Sequence, residues 1–421
     1  MNIVTIIQQP EGRSLEFKED MPTNAELSKT ILAFANDAGG IIVLGVKDKP
    51  RTVIGLAKEK CLQIEEQISN IIHDKCTPTI LPEIEFLEFE NEQLLVLKIY
   101  KGSNPPYYLK QKDSTNSTFI RVGSSNRLAN IEIIEDLKRQ KQGVSFDGLP
   151  VFNTDVVTLK WSSFANHFEK KTGDTIDAAT LNKLQLVQTE QGKTLASNAL
   201  VLLSDDNLRN KLFPNAKIEC ARFKGTVPGD FIDQKTIDEP PSLQAAEAYK
   251  FVLRHISQGA DYEGVYRKDR WEYPIIAIRE LIRNAVIHRD CSLKGKDIKV
   301  AIFDDKIEIT SPGKLLPTVD FNEMEAGQSD VRNKVLAPVF KKLGIIEKWG
   351  NGLQLIADEL KLYPEIDLKW SEPGMAFRVS FIKKKQSLAN DYDRLRPITT
   401  DCDRLRTIEY GRTTNSLILI R

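Results

Sequence analysis

Paired cysteines, clustered histidines and any excess of charge are all missing from this chain. Its five cysteines (Cys61, Cys76, Cys220, Cys291 and Cys402) form no Cys-x-x-Cys pair, and its four histidines are dispersed. Such spacing excludes a zinc finger and a disulfide scaffold. Lys plus Arg number 59 and Asp plus Glu number 59, a net charge of zero. Any polyanion must therefore be held by local patches and not by bulk attraction. The longest apolar stretches, at 41–46 and 199–203, fall far short of the ~20 residues that span a bilayer. Residues 1–9 carry no cationic region or cleavage site, so no membrane partner and a reducing, cytoplasmic setting are expected.

What is present is a globular composition. Apolar residues make up 41% of the 421 and charged residues 28%, which suits two or three domains with their own cores. Turn signals divide the chain at 1–143, 144–241, 242–383 and 384–421, and the expected class is α+β. Thr23 and Glu26 form a capping box for a helix over 23–37, with Leu27, Ile31 and Leu32 as its apolar stripe. Gly39-Gly40 ends it, and 41–46 reads as a buried strand. A helix over 58–74, strands near 83–89, 94–100 and 119–122, and a charged helix over 131–142 complete the first unit. The middle α/β segment carries a helix (162–171), an apolar run (199–203) and a strand (217–223). A long helix from 243 opens the last domain. In the tail, residues 391–400 and 401–410 are two copies of one ten-residue unit, too few for a solenoid and expected to be mostly extended or disordered, the alternative being a small helical or β element that docks on a partner subunit.

Two constellations carry chemistry. The first runs Glu280-Leu-Ile-Arg-Asn284-Ala-Val-Ile-His288-Arg289-Asp290. Residues four apart share a helix face, so Glu280, Asn284 and His288 form one polar stripe. An acid, an amide and an imidazole beside an apolar face suit a magnesium–phosphate wall. A strand pair follows, leading into Ser311-Pro312-Gly313, and Gly350-Asn351-Gly352 then opens a helix whose N–H groups can approach phosphate. Read blandly, the same stripe is a solvated helix face with His288 at its end.

The order ExxxNAxxHRD, IEIxSPG and RNxxLAxxFxxLGxIEKWGxG resembles the ATP-binding domain shared by gyrase, a heat-shock chaperone and histidine kinases, the GHKL or Bergerat fold. It is most similar to the divergent form found in bacterial and archaeal transcriptional regulators. The resemblance spans about 243–382 and implies an α/β sandwich holding ATP and Mg2+. Carried over, Asn284 is the magnesium-binding Asn and Glu280 the water-orienting Glu. Ser311 and Gly313 fall in the adenine-side loop, Gly350 and Gly352 in the phosphate-side loop, and His288 joins the cofactor set. Where the family at large has an Asp in a DxGxG motif, this chain reads Ser311-Pro312-Gly313 without one.

The second constellation begins at Glu11-Gly-Arg13-Ser14-Leu15-Glu16-Phe17-Lys18, continues through Phe34-Ala-Asn-Asp37-Ala-Gly-Gly40 to Asp48, and returns at Arg121-Val-Gly-Ser124-Ser125-Asn126-Arg127. In a strand, Glu16 and Lys18 share one edge and Leu15 and Phe17 the other. These runs resemble the Schlafen/AlbA-type domain over about 7–142. The resemblance implies nucleic-acid contact and, in its nuclease members, three metal-binding acids, here Glu11, Glu16 and Asp48. For binding without cleavage the candidates are Lys110, Arg121, Ser124, Ser125 and Arg127, with Tyr107 and Tyr108 to stack on bases. Residues 1–143 nevertheless hold 18 Lys plus Arg against 20 Asp plus Glu, a net of −2.

Taken together, the two resemblances lead us to expect a nucleotide-responsive DNA-binding regulator, homodimeric, with RNA as a second candidate target and weak ATPase activity an open question. The alternatives are an ATP-gated, metal-dependent nuclease, acting in defence, and a degenerate dimeric scaffold.

Overall fold

A computed structural model describes residues 3–190, 192–263, 266–316, 319, 321, 324, 330–346 and 351–384. Both the repeat tail and Gly350 lie outside these residues. A short helix, Ile3–Gln8, comes first; the helix expected over 23–37 follows as Asn24–Asn36, where Thr23 and Glu26 make the expected reciprocal cap. Beyond it a four-stranded sheet runs in the order Leu15–Lys18, Gly40–Leu44, Glu92–Ile99, Glu83–Phe89. The first pair is parallel and the others antiparallel. Leu27, Ile31 and Phe34 of the Asn24–Asn36 helix and Ile64, Ile68 and Ile71 of the Lys58–Lys75 helix pack on one face of this sheet, against Ile42, Leu95 and Leu97. Residues 41–46 do not form one strand. Gly45, at φ +94°, turns the chain between Gly40–Leu44 and Val46–Lys47, a conformation that side chains resist.

The larger sheet has six strands in the order Phe231–Ile237, Ile218–Phe223, Ile298–Ile302, Lys306–Pro312, Ala376–Lys383, Ile366–Ser371. Its first two strands fall in the stretch expected to be a separate middle segment. Ile218–Phe223 pairs in parallel with Ile298–Ile302 across some 80 residues, so the sheet begins before 242. Parallel pairs need long crossovers, and no local signal announces them. The run 199–203 lies within a fully buried helix, Asn198–Leu203. Helices Pro241–His255 and Ile275–Ile287 bury Phe251, Val252, Ile278 and Ile282 in the same core as Val300, Ile302, Ile307, Ile309 and Phe381.

Helix Ile275–Ile287 has Pro274 at its N-cap, which offers no side-chain acceptor. Glu359 of the Gly352–Leu360 helix does that work from across the core. Its carboxylate accepts the Ile276 N–H at 3.1 Å and the buried Ala277 N–H. The two helices are thereby locked end to flank, which fixes how Glu280, Asn284 and Gly352 face one another. Replacing Glu359 by Ala leaves two helix-end donors without an acceptor. The expected loss is about 2–6 kcal/mol, at about 1–3 for each of the two donors, in urea unfolding of the full chain. Glu359→Gln retains an acceptor oxygen and should recover part of that loss.

Candidate functional site

A cavity of about 160 Å³ lies where the Ile275–Ile287 helix faces the large sheet, lined among others by Glu280, Asn284, His288, Ser311, Gly313 and Gly352. These are the cofactor residues expected from the sequence together with the water-orienting acid, Gly350 aside. Helix spacing delivers the first three, and the Lys306–Pro312 strand delivers Ile309 and Ser311. Phe377 and Val379 of the last strand, with Leu315, Leu316 and Phe321, add an apolar lining. Phe321 and Phe377 meet edge to face at 5.3 Å.

Each polar group has a defined setting. The Glu280 carboxylate is buried and takes Arg283 at 2.7 Å, with Arg279 at 3.5 Å. Asn284 gives its backbone carbonyl to the His288 N–H at 2.9 Å. Gly352, the first residue of its helix, comes so close that a Cβ there would stand 3.5 Å from Glu280 Oε2 and 3.9 Å from Asn284 Nδ2. A helix N-terminus beside an amide and an acid is a place for phosphate and a hard cation. Ser311 does not present its hydroxyl to a ligand; its Oγ donates to the Ala285 carbonyl at 2.7 Å. Gly313 is at φ +101°, with Asp290 Cβ 2.9 Å from where its own Cβ would be, so this loop must have glycine there. No Asp stands at the Ser-Pro-Gly loop, but Asp330 lines the cavity.

Two residues of the expected motif that were given no role turn out to frame the site. Asn333, almost fully buried, donates to the carbonyls of Ile287 (2.7 Å) and Arg289 (2.9 Å). Arg332 donates to the carbonyls of His288 (3.1 Å) and Lys314 (2.6 Å). The Arg-Asn pair was visible in the sequence, but nothing local said which carbonyls it would reach.

The N-terminal constellation is arranged differently from expectation. Glu11 accepts the Phe17 N–H at 2.8 Å. Glu16 is buried, with Lys18 at 2.8 Å and Arg121 at 2.6 Å. Asp48 pairs with Arg51 at 2.6 Å, and that guanidinium stacks 3.9 Å from the Phe17 ring. Among the described residues no group of three His, Cys, Asp or Glu side chains could hold a metal. In this structure the three acids thus serve separate partners. Arg121 is corrected as well. It is fully buried, donates to Gly12 O and to Asn126, and lies 5.0 Å from the Phe34 ring. A buried arginine of this kind cannot grip a phosphate at the surface. Tyr107 is also buried, its N–H bound to Asn36 and its hydroxyl to Asn104, so it offers no face to a base; Tyr108 is half-buried. Ser124 and Ser125 stay exposed at the tip of the Phe119–Val122 and Ser125–Leu128 hairpin and Arg127 along its second strand, and Lys110 is exposed elsewhere.

Comparison with known proteins follows the same two-part division. Residues 11–130 match the Schlafen, AlbA_2 family. Residues 295–381 match the family described as "Putative ATP-dependent DNA helicase recG C-terminal". An uncharacterized ATP-binding protein of Ureaplasma parvum is 34% identical over 228 residues, which span 50% of this chain and 60% of that relative. The DIP2311 protein from Corynebacterium diphtheriae, a crystal structure, is 19% identical, with a TM-score of 0.45 covering 89% of this chain and 76% of that one. The chain thus carries a Schlafen AlbA_2 domain near its N-terminus and an ATPase-type domain near its C-terminus.

His288 supplies a pH signature for the cavity. Burial, and then the neighbouring Arg332, push its imidazole down to about 4, and its Nδ1 is buried without a hydrogen-bond partner. As pH falls, the unfolded chain takes up the proton first, near the ordinary histidine value of about 6.5. The stability of the neutral ring is therefore complete above about 6.5 and is lost as pH falls toward about 4. Over that window the wild type should lose up to about 1.4 kcal/mol per pH unit more than His288→Gln, one proton's worth, in denaturant titrations at each pH.

Proposed function

We propose that this protein is a nucleotide-responsive, nucleic-acid-associated regulator: the C-terminal cavity takes ATP with Mg2+, and the N-terminal domain contacts DNA. The gathering of Glu280, Asn284, His288, Ser311, Gly313 and Gly352 around one cavity carries this reading. The donor set fits the group. Asn284 supplies an amide oxygen for a hard cation, the helix end at Gly352 supplies N–H groups for phosphate, and Phe321 and Phe377 supply apolar surface for a base. When bound, the cation would neutralise phosphate charge that the cavity's own acids would otherwise repel. Glu280 is the acid that would orient a water, though Arg283 already occupies its carboxylate, so hydrolysis would require that pair to open.

A role in transcription and a homodimeric state are what the GHKL-type resemblance implies, and both belong to the same proposal. Nuclease chemistry does not, because Glu16 and Asp48 are committed to Arg121 and Arg51. Contact with DNA, or with RNA, falls instead to Lys110, Ser124, Ser125 and Arg127, the exposed members of the predicted set, with Tyr108 beside them.

Two measurements test the halves separately. Mg·ATP should raise the melting temperature of the wild type by mass action and bind in calorimetry. Asn284→Ala should weaken that binding by roughly 10- to 150-fold, the worth of a hydrogen bond to a charged group; a wild type with no heat and no thermal shift would sink the nucleotide half. For the other half, affinity for DNA should fall with salt. The logarithmic salt slope should shrink by about one for each of Lys110→Ala and Arg127→Ala.

A further inference from the structure

The nucleotide cavity has a thin wall, and the other domain holds it. Lys314, Leu315, Leu316, Asp330 and Val331 line the cavity on one side and, on the other, a separate cleft of about 380 Å³ between the two domains. Leu315 and Val331 of this segment are partly buried against the C-terminal core, and the backbone at Lys314 and Leu315 is held in addition by polar tethers. The Leu315 N–H donates to Glu372 at 2.9 Å, and the Leu315 carbonyl accepts from Arg13 at 3.0 Å. The Lys314 carbonyl accepts from Arg332, and Lys314 Nζ donates to the carbonyl of Arg121 and lies 3.7 Å from Asp37.

Arg13 is the centre of this arrangement. Its guanidinium grips Asp37 through two hydrogen bonds, at 2.8 and 2.5 Å, and Glu372 at 2.8 Å, while still reaching Leu315. Arg13 and Glu372 are 359 residues apart in sequence. Arg13, Asp37 and Arg121 belong to the Schlafen-type domain, and Glu372 and Leu315 to the ATPase-type domain. A planar guanidinium can serve several acceptors at fixed angles, which a lysine cannot do.

We infer that Arg13 and Glu372 are positioning residues for nucleotide binding: together they hold the Lys314–Leu316 wall in place, so that the N-terminal domain completes a cavity whose ligand it does not touch. This rests on the nucleotide reading above. Linkage makes the effect reciprocal, so a nucleotide that settles the wall also settles the Arg13 contact between the domains.

Calorimetry with Mg·ATP on full-length chains tests the inference. Arg13→Ala and Glu372→Ala should each weaken binding by roughly 5- to 150-fold, the usual range of coupling between sites. Glu372→Gln keeps an oxygen that can accept from both Leu315 and Arg13, and should restore most of the affinity lost in Glu372→Ala. Lys250→Ala, at an exposed ion pair on another helix, should bind as the wild type does. Should Arg13→Ala fail to fold by circular dichroism, the two Glu372 variants decide alone, since they leave Arg13 paired with Asp37. Equal affinity in wild type, Arg13→Ala and Glu372→Ala would overturn this inference and leave the nucleotide reading standing. No binding by the wild type would overturn both.

Discussion

A helix that ends inside a protein leaves carbonyls that must find donors, and the C-terminal half is arranged around one such end. The Ile275–Ile287 helix stops at His288, beneath the large sheet. The buried carboxamide of Asn333 answers two carbonyls there, those of Ile287 and Arg289. Its neighbour Arg332 answers a third, that of His288, and reaches on to Lys314. Stripping those donors would leave several buried acceptors unpaired, each at about 1–3 kcal/mol. The helix end, the Ser311–Gly313 turn and the wall after it are therefore fixed as a group. Asp147 extends the same logic, accepting the Val335 and Leu336 N–H groups that open the next helix.

The grouping of polar residues at the C-terminal cavity was legible because it follows one helical period. Glu280, Asn284 and His288 are four apart, and no tertiary information is needed to place them on one face. The Asn24–Asn36 helix was legible for a similar reason, since the capping box is a local signal. Long-range pairing was not. Nothing near 218–237 announces a parallel partner at Ile298–Ile302. Nor does any local signal tell that Arg13 will meet Glu372. Arg121 shows a different limit. In a strand the alternation places Arg121 opposite Ile120 and Val122, but it does not say which face is buried, and here an Asn126, a Glu16 and an aromatic ring make the inside tolerable for a charge.

Charge tells a related story. The chain is neutral, and its N-terminal domain is slightly acidic, so the polar motif of that domain invites reading as a set of placed contacts for a polyanion. The structure turns much of it inward or toward the second domain instead. Arg121 with Glu16, and Arg13 with Asp37, neutralise each other in pairs. Of that motif, Ser124, Ser125 and Arg127 remain at the surface, with Lys110 nearby in sequence, a small footprint; a phosphate backbone held by so few charges would be held weakly and in a salt-sensitive way.

Ion pairs of this sort seldom add much stability, because desolvation offsets most of their attraction. Their advantage here is geometric. An apolar contact between the Lys314–Leu316 wall and the N-terminal domain could slide, whereas a forked guanidinium answering Asp37, Glu372 and the Leu315 carbonyl admits one register. With cavities on both sides of that wall, register is the property a ligand would feel. A contact that is specific without being strong can also be rearranged at modest cost. In this chain the Arg13 fork therefore ties the N-terminal domain to the same segment that lines the cavity.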